Sequence, residues 1–388
     1  MTRPCPVCFS KDSKHIFTQS FGKNNVISVM ESYDVVVCRT CGLGYADNIP
    51  SQEEFNNYYA LMSKYEFDNK DGIVAQDYIT QYTKIVDFII PHISNTDARI
   101  LDIGCSTGAL LSVFKNKGYQ NLLGLDPSVS CVRVVNKLYG IPAVVGDISS
   151  FSDSGKFDIV MLSAVLEHLV DFEYSMQKIQ DLMSDNGLLF IEAPDVERFH
   201  EFISAPFQQF SVEHINYFSK TSILNLLAAY SFSVLDIKQN ESSLNLTIDP
   251  DLFVLSTKSS ESKVPVILPD IITEPNLITY IQQCEEIDFK IRAIINDKLL
   301  HLDQIIVWGA GTHTQRLIGA GLDTSKILYI VDSNKRYTGK KLDQIEIRLP
   351  QDISEDVPIL ISTYSYQSEI AKMIRNNLKL SNEIVTLY

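Results

Sequence analysis

The chain has 388 residues, too many for one ordinary hydrophobic core, so two or three domains are expected. With 45% hydrophobic and 21% charged residues it has the composition of a soluble globular protein, and neither a membrane span nor a secretory signal is predicted. The formal charge of −15, with basic residues scattered along the chain, disfavours a nucleic-acid substrate. The three cysteines left outside CxxC motifs favour a reducing, cytoplasmic location over a disulfide framework.

The first predicted domain, residues 1–48, contains two CxxC motifs separated by residues 9–37. Each motif places two thiolates on one tight turn, so two motifs can complete the tetrahedral shell of a Zn²⁺ ion. Four cysteine ligands leave no position for water, which predicts a structural zinc; free thiols or a redox pair are the alternative. The predicted ligands are Cys5, Cys8, Cys38 and Cys41.

A Tyr-rich segment, residues 49–97, follows, and its apolar residues from Tyr78 to Ile90 recur at helical spacing until Pro91. From Ala98 the pattern alternates between strand and helix, which is typical of a parallel sheet with crossover helices. Predicted strands are Arg99–Ile103, Leu122–Leu125, Ala143–Val145, Phe157–Leu162 and Leu188–Glu192, with a closing hairpin of Val234–Ile237 and Leu244–Ile248. Predicted helices in this region, residues 98–254, include Ala109–Lys117, Phe172–Met183 and Thr221–Tyr230.

The first of these strands ends in an acid and leads through Gly-Cys-Ser-Thr-Gly into a helix. The glycines allow a sharp turn and a close approach to a ligand, and the N–H groups at the helix start can bind polar groups of an amino acid. The acid can accept from an ammonium group. The sequence therefore predicts that S-adenosylmethionine (SAM) is bound by Asp102, Gly104, Cys105, Ser106 and Gly108.

Two more acids follow at the ends of the next two strands. Asp126, with Pro127 after it, lies where two ribose hydroxyls could donate to one carboxylate. Asp147 is predicted to accept from the adenine amino group, and Ile148 to cover the ring. All three segments converge where ligands of parallel sheets bind.

On these motifs, residues 98–192 resemble the class I SAM-dependent methyltransferases, which implies a seven-stranded sheet. The alternative is a Rossmann domain that binds NAD or a flavin, or no cofactor, but the dinucleotide motif GxGxxG is absent.

Two Glu-His pairs are candidates for the acceptor side. Glu167-His168 follows the fourth strand, where His168 would shape the cofactor and substrate floor or be purely structural. Glu213-His214 follows the fifth strand and an aromatic insertion, Phe199 to Phe210. His214 is a candidate general base because imidazole titrates near neutral pH, and a scaffold histidine is the alternative. Glu213 is a catalytic or substrate-binding candidate.

A Ser-, Lys- and Pro-rich linker, residues 255–276, precedes a second α/β domain at residues 277–388. There a predicted strand, Ile305–Val307, feeds a turn with Gly309 and Gly311, and the next strand ends before Asp332. This pattern favours nucleotide binding, although a Rossmann-like domain used only for packing has the same pattern.

The zinc cysteines, the SAM loop and the motif from Glu213 to Ser219 together resemble the zinc-containing sugar-nucleotide C-methyltransferases of deoxysugar biosynthesis. The resemblance implies an α/β chain with a zinc module, a central SAM domain and a Rossmann-like domain that helps to hold the nucleotide sugar. It implies that His214 removes a proton beside a ketone. It also implies one substrate-facing tyrosine from the N-terminal segment, for which Tyr65, Tyr58 and Tyr59 are the candidates, and Tyr217 is a further substrate-binding candidate.

The chain differs from this family at three positions. The family usually has Tyr-His where this chain has Ser211-Val212, and an asparagine where it has Ala164. O-methylation of a sugar or other small molecule, and a non-catalytic scaffold that binds SAM or a nucleotide, therefore stay open as alternatives.

Overall fold

The structure, a computed structural model, describes residues 3–21, 29–62, 76–153, 155–244, 247–259, 265–363 and 366–387. Its strands are β1 (Ser13–Ser20), β2 (Ser32–Cys38), β3 (Gly44–Asp47), β4 (Ile100–Ile103), β5 (Leu122–Asp126), β6 (Ala143–Val145), β7 (Phe157–Ser163), β8 (Met183–Pro194), β9 (Asn216–Tyr217), β10 (Phe232–Leu244), β11 (Thr247–Lys258), β12 (Ile305–Trp308), β13 (Ile327–Val331), β14 (Lys341–Leu342), β15 (Ile345–Arg348), β16 (Ile359–Ile361) and β17 (Ile384–Thr386). Its helices are α1 (Gln52–Met62), α2 (Gln76–Ile89), α3 (Ala109–Asn116), α4 (Val129–Tyr139), α5 (Phe172–Leu182), α6 (Lys220–Ala229), α7 (Thr273–Leu299), α8 (Thr312–Gly319) and α9 (Gln367–Lys372).

The central sheet has seven strands in the order β10-β11-β8-β7-β4-β5-β6. Strands β4 to β8 are parallel, whereas β11 is antiparallel to both β8 and β10. Asp102 on β4 pairs with Gly124 on β5 and Met161 on β7, so the carboxyl ends of these strands lie at one edge. The predicted α/β fold with a seven-stranded sheet is confirmed.

Both faces of the sheet are buried at its central strands, which explains why β4, β5 and β7 are almost continuously apolar. Leu101 and Ile103 belong to a core cluster that includes Ile223 and Leu226 of α6. Ile100 points to the other face, into a cluster with residues of α2 and α3. The alternation of neighbouring side chains between two cores fixes the register of β4, because a slip of one residue would exchange the faces.

The closing hairpin differs from its predicted bounds. The predicted strand Leu244–Ile248 contains the end of β10 and the start of β11, which pair antiparallel from Phe232–Lys258 to Leu244–Thr247. Polar residues along the edge strand β10 conceal its length. The predicted linker also starts too early, because Leu255 and Ser256 are fully buried in β11, which extends to Lys258.

A second sheet has four strands in the order β1-β2-β3-β9. Strand β9 follows His214 and pairs antiparallel with β3, with Tyr45 opposite Asn216. The cysteine-rich N-terminal residues are therefore joined by backbone hydrogen bonds to the segment that carries the second Glu-His pair.

The third sheet has six strands in the order β14-β15-β13-β12-β16-β17 and is parallel except at β14. The strands β14 and β15 were not predicted from the sequence, since they are short and contain charged residues. Helix α9 is followed directly by a π-helical turn, Met373–Asn377.

The chain forms two compact units that are not contiguous in sequence. Unit 1 comprises residues 1–16, 35–202 and 213–278, and unit 2 comprises residues 17–34, 203–212 and 279–388. In unit 2, Phe17 stacks on Phe207 with ring centroids 4.8 Å apart, and Phe210 meets Tyr280 edge-on at 5.3 Å. None of the helices in the described ranges is long and apolar enough to cross a membrane.

Candidate active site

The turn after β4 is shaped by two glycines with left-handed backbone angles. Gly104 has φ +75° and Gly108 has φ +82°, a region that glycine enters without steric cost. A Cβ atom on Gly104 would lie 2.6 Å from Cγ2 of Val165, in the loop after β7. The N–H groups of Gly104 and Cys105 both donate to the carbonyl of Leu125, at 2.7 and 3.0 Å. The turn is thus fixed against the ends of both neighbouring strands.

Asp102 is a buried acid at the carboxyl edge of the sheet, with only 2% of its surface exposed. Within the described part of the chain, its Oδ1 atom has no hydrogen-bond partner. Burial, and then the charges of Asp126 and Glu192, raise the pKa of Asp102 well above its usual range. A cationic ligand group at this atom would supply the missing partner and favour the charged carboxylate.

Asp126 joins two turns at the end of β5. Its Oδ2 accepts from the N–H of Ser106 at 2.8 Å, and its Oδ1 accepts from the N–H of Ser128 at 2.9 Å. The neighbouring Pro127 is half-buried. The predicted cofactor residues from the turns after β4 and β5 are therefore in direct contact.

Asp147 stabilises the turn that follows β6. Its Oδ1 accepts from the N–H of Ser150 at 2.8 Å, and its Oδ2 accepts from Nδ2 of Asn56 on α1 at 2.8 Å. Ile148 beside it is 6% exposed. Both oxygens of Asp147 already accept hydrogen bonds from the protein, and its contact with an adenine amino group stays a prediction.

Glu167, His168 and His214, called here the histidine group, lie together beyond β7. The two imidazole rings meet edge-on with centroids 5.1 Å apart. Nδ1 of His168 is 2.8 Å from the carbonyl oxygen of Glu213, and because a carbonyl only accepts, Nδ1 carries a proton. Nε2 of His168 lies 3.8 Å from Oε1 of Glu167. One ligand atom from each member of the group lies within 4.8 Å of the others.

Helix α1 brings two tyrosines to this group. Tyr58 donates its hydroxyl to Oε1 of Glu213 at 3.1 Å, and the hydroxyl of Tyr59 is 3.2 Å from Nδ1 of His168. Tyr65, another predicted substrate residue, lies outside the described residues. Helix α1 of the Tyr-rich segment therefore contacts Glu213 and His168, two of the residues predicted for the acceptor side.

The segment after His214 is tied to the segment after His168. Nδ2 of Asn216 donates to the carbonyls of Glu167 at 3.2 Å and Leu169 at 2.8 Å. Tyr217, predicted to bind substrate, is 1% exposed, and its ring meets Phe199 edge-on at 6.4 Å. The structure thus buries the Tyr217 ring, and its contact with a substrate stays a prediction.

A pair of buried acids at the same edge was not identified from the sequence. Glu192 on β8 and Asp251 on β11 both accept from Nε2 of Gln81, at 3.1 and 3.3 Å, and Glu192 also accepts from Ser163. Burial raises the pKa of Glu192, and burial followed by the charge of Glu192 raises that of Asp251. The available signal was a lone acid, Glu192, at the end of the apolar run Leu188–Ile191.

The four N-terminal cysteines converge. Sγ of Cys5 lies 3.5 Å from Sγ of Cys41, Sγ of Cys8 lies 3.4 Å from Sγ of Cys38, and all four sulfurs are within 4.8 Å of one another. Zn–S bonds of about 2.3 Å in a tetrahedron give S–S separations of roughly 3.8 Å, so the cluster fits a zinc ion. The other cysteines, Cys105, Cys131 and Cys284, are buried elsewhere.

In unit 2, the turn after β12 resembles a nucleotide-binding turn. Gly309 has φ +116°, and a Cβ atom on it would lie 2.7 Å from Oγ of Ser362, whereas Gly311 faces open space. Asp332 accepts from the N–H of Ala310 at 2.7 Å, and burial raises its pKa. Burial, and then Arg316, lower the pKa of the nearby His313 to about 3, which leaves this imidazole neutral near pH 7 and without charge for a phosphate.

Two family profiles match the chain. Residues 74–237 match the family described as "Methyltransferase domain", and residues 301–385 match "C2185-like, N-terminal". The first match spans α2 and the central sheet from β4 into the first half of β10, without β11, and the second spans most of the third sheet.

Curated relatives are similar over parts of their length. An (S)-coclaurine N-methyltransferase of Papaver somniferum is 28% identical over 24% of this chain and 28% of its own length. A ubiquinone biosynthesis O-methyltransferase of Chelativorans sp. (strain BNC1) is 30% identical over 24% of this chain and 39% of its own length. A juvenile hormone acid O-methyltransferase of Bombyx mori is 26% identical over 48% and 74%. The chain spans about a third of the length of the first relatives that it matches.

Among solved structures, the chain is similar to a Burkholderia thailandensis 1,6-didemethyltoxoflavin-N1-methyltransferase. The two are 14% identical with a TM-score of 0.42, over 57% of this chain and 97% of the other.

Proposed function

We propose that this protein, an enzyme whose residues 74–237 form a methyltransferase domain of the class I SAM-dependent fold, transfers a methyl group from SAM to a small-molecule acceptor. The observation that carries the proposal is the buried Oδ1 of Asp102, which has no partner within the described residues. A carboxylate at this point can bind the ammonium of the methionine part of SAM.

The cofactor site that we propose combines the turns after β4, β5 and β6. Asp102 binds the ammonium, and the turn from Gly104 to Gly108 offers backbone N–H groups to the carboxylate. Asp126 accepts from the ribose hydroxyls, and Asp147 with Ile148 contacts the adenine. When bound, SAM supplies an electrophilic methyl group.

The histidine group is the proposed acceptor site. The turn after β4 approaches Val165, two residues before Glu167, so the loop that carries Glu167 and His168 begins beside the proposed cofactor turn. We propose that the acceptor is a nucleotide-activated keto-sugar and that His214 removes a proton from the carbon beside the ketone. The electron pair left on that carbon then forms the new bond to the methyl group, while the electron pair of the methyl–sulfur bond stays on sulfur and S-adenosylhomocysteine leaves. Glu213 and Tyr58, which are joined by a hydrogen bond, are proposed to contact the sugar.

Two further sites belong to the proposal. The four N-terminal cysteines bind a structural Zn²⁺ ion, which is supported by the convergence of their sulfurs. Gly309, Gly311 and Asp332 bind a nucleotide within unit 2, which is supported by the open space at Gly311. A cytoplasmic location, favoured by the three cysteines outside the CxxC motifs, is part of the same proposal.

The test of the acceptor site is the substitution His214→Ala. Turnover of a keto-sugar nucleotide, measured as release of S-adenosylhomocysteine, should fall by roughly 10²- to 10⁴-fold, the usual contribution of a general base. SAM affinity, measured by calorimetry, should stay within about twofold, because SAM is bound at the other turns. The exposed His92→Ala serves as the matched control and should turn over normally.

Three results would contradict parts of the proposal. Unchanged turnover in His214→Ala would show that His214 is not the general base. Methyl transfer to hydroxyl groups of acceptors that have no ketone would show that the enzyme is an O-methyltransferase and not a C-methyltransferase. Tight SAM binding with no transfer to a panel of keto-sugar and hydroxyl-sugar nucleotides identifies a non-catalytic scaffold.

A second candidate function, metal-assisted O-methylation, is favoured by the spacing of ligand atoms in the histidine group. A divalent ion held by one carboxylate and two imidazoles would keep open positions for acceptor oxygens and lower the pKa of a bound hydroxyl. This candidate requires that turnover rise on addition of Mg²⁺ or Mn²⁺ to protein that already carries one zinc per chain. Turnover that is independent of added metal excludes it.

A further inference from the structure

Arg3 precedes the first cysteine by two residues, and its side chain contacts three separate parts of unit 1. Its Nη1 donates to the carbonyl oxygens of Ala46 at 3.3 Å and Ile215 at 3.4 Å. Its Nη2 donates to the carbonyl oxygens of Leu169 at 3.4 Å and Val170 at 3.0 Å. One guanidinium group thus bridges β3, the segment after His168 and the segment after His214.

Two of the contacted carbonyls belong to residues that directly follow the two histidines of the histidine group. Ile215 directly follows His214, and Leu169 directly follows His168. The N–H of Ile215 also donates to the carbonyl of Glu167 at 3.0 Å. The Asn216 amide and the Ile215 N–H join the two histidine segments to each other, and Arg3 joins both segments to β3 of the four-cysteine module.

The backbone of Arg3 is itself held by β3. Its N–H donates to Oδ1 of Asp47 at 2.6 Å, and its carbonyl accepts from the hydroxyl of Tyr45 at 3.3 Å. The guanidinium carbon lies 5.8 Å from the centroid of the Tyr45 ring. These contacts fix the position from which the side chain extends.

Only arginine suits this arrangement. Its guanidinium presents several N–H donors in one rigid plane, so its two terminal nitrogens can each serve two carbonyls and together join three segments. Lysine keeps the charge but has a single donor atom on a flexible stem, and it cannot bridge the same four carbonyls.

We propose that Arg3 is a positioning residue that sets the spacing of the His168 and His214 rings, and that the four-cysteine module acts on the acceptor site through it. The inference rests on the proposed function, in which the histidine group faces the acceptor. It gives an all-cysteine metal module, which has no open position for chemistry of its own, a role in turnover.

Arg3→Lys tests the inference, with Arg39→Lys as the control. Arg39 lies in the same module, but its side chain is 57% exposed and pairs with Asp12. Four quantities are measured for both variants: zinc content, SAM affinity, the nuclear Overhauser effect between the two histidine rings, and turnover. The ring signals are assigned with His168→Gln and His214→Gln in deuterated protein with protonated histidines.

In Arg3→Lys we expect one zinc per chain and SAM affinity within about twofold of the parent, because lysine keeps the positive charge near Cys5 and the hydrogen bonds that the guanidinium donates go to backbone carbonyls. The ring-to-ring effect should be lost, and kcat should fall on the order of 100-fold with the KM for SAM unchanged, since a displacement of about 1 Å has such consequences. Arg39→Lys should match the parent in all four measurements.

An intact ring-to-ring effect in zinc-loaded Arg3→Lys overturns the inference. If this variant loses zinc, Tyr45→Phe replaces it, because that change keeps the guanidinium and removes a hydroxyl that anchors the Arg3 carbonyl. A weakened ring-to-ring effect in Tyr45→Phe then supports the inference, and an unchanged effect overturns it. The ring signals need no methyl transfer, so absence of turnover in the parent protein contradicts the proposed function alone.

Discussion

The buried Oδ1 of Asp102 predicts that one substitution weakens SAM binding without lowering the thermal stability of the SAM-free protein. Asparagine has the same shape but no charge, so Asp102→Asn removes a charge-assisted hydrogen bond to the SAM ammonium and should weaken SAM binding roughly 10- to 150-fold. The same change removes a buried carboxyl group without a partner at Oδ1, so the melting temperature of the SAM-free protein should stay constant or rise. Calorimetric titration with SAM and thermal unfolding measure the two effects.

The exposed Asp185→Asn is the control for this prediction and should change neither quantity. Equal SAM affinity in Asp102→Asn and the parent would show that the carboxylate does not bind the cofactor. A fall in both affinity and stability would instead make Asp102 a structural residue.

Individual residues also show where sequence patterns are informative. Asp102 and Asp126 were predictable because a strand followed by a glycine turn has a recognisable local pattern. Glu192 and Asp251 were not, because they become neighbours only when β8 pairs with β11. Likewise, the pattern places Glu213 beside His214 but cannot show that its carboxylate accepts from Tyr58.

The backbone at Ala164 is strained, at one of the positions where the sequence differs from the sugar-nucleotide C-methyltransferases. It has φ +53°, in the left-handed region where asparagine is enriched among residues other than glycine. The family usually has asparagine at this position, so the backbone conformation fits the family residue better than the alanine. The loop after β7 therefore holds a conformation that costs alanine roughly 1–2 kcal/mol.

At the scale of elements, the four-cysteine module gives the next prediction. Purified protein should contain one zinc per chain, and Cys41→Ser should lose it together with several degrees of melting temperature, since a structural zinc contributes directly to folding. Elemental analysis and thermal unfolding measure these effects. Cys131→Ser is the matched control, because Cys131 is equally buried but lies outside the cluster.

A folded parent protein without metal would contradict the zinc assignment. Loss of zinc from Cys131→Ser as well as from Cys41→Ser would show that general destabilisation, and not the loss of a ligand, releases the ion.

Elements with both faces buried were the easiest to predict. Strands β4, β5 and β7 are short apolar runs between helical segments, and their predicted bounds agree with the observed ones within one residue. The hairpin β10-β11 was predicted too short, because β10 lies at a sheet edge where polar residues are tolerated. Strands β14 and β15 contain too few residues for their alternation to be detected.

For the whole molecule, the predicted domains were consecutive stretches of sequence, and such stretches cannot describe two compact units that are each built from separate parts of the chain. Residues 17–34 and 203–212 belong to the same unit as residues 279–388. The contacts responsible, such as Phe17 with Phe207, join residues far apart in the sequence, and no local pattern indicates them. The two α/β sheets were predictable because each is built mainly from consecutive strand and helix units.

The buried acids of the central sheet connect stability with pH. Burial raises the pKa values of Asp102, Glu192 and Asp251, whereas in the unfolded chain such groups titrate near pH 4. The folded protein therefore binds more protons than the unfolded chain above that pH. The stabilisation from these groups is fully present below about pH 4 and is lost as pH rises through the raised pKa values.

The last prediction follows from this linkage. Without SAM, each of these carboxyl groups should lower the free energy of unfolding by up to about 1.4 kcal/mol per pH unit across its window. Glu192→Gln cannot titrate, so its stability should depend less steeply on pH than that of the parent in urea unfolding between about pH 5 and pH 8. The exposed Glu285→Gln should follow the parent curve. Saturating SAM should also flatten the curve, because its ammonium favours the charged form of Asp102. Parallel curves for Glu192→Gln and the parent would mean that Glu192 is ionised in the folded protein throughout this range, held so by its hydrogen bonds from Gln81 and Ser163.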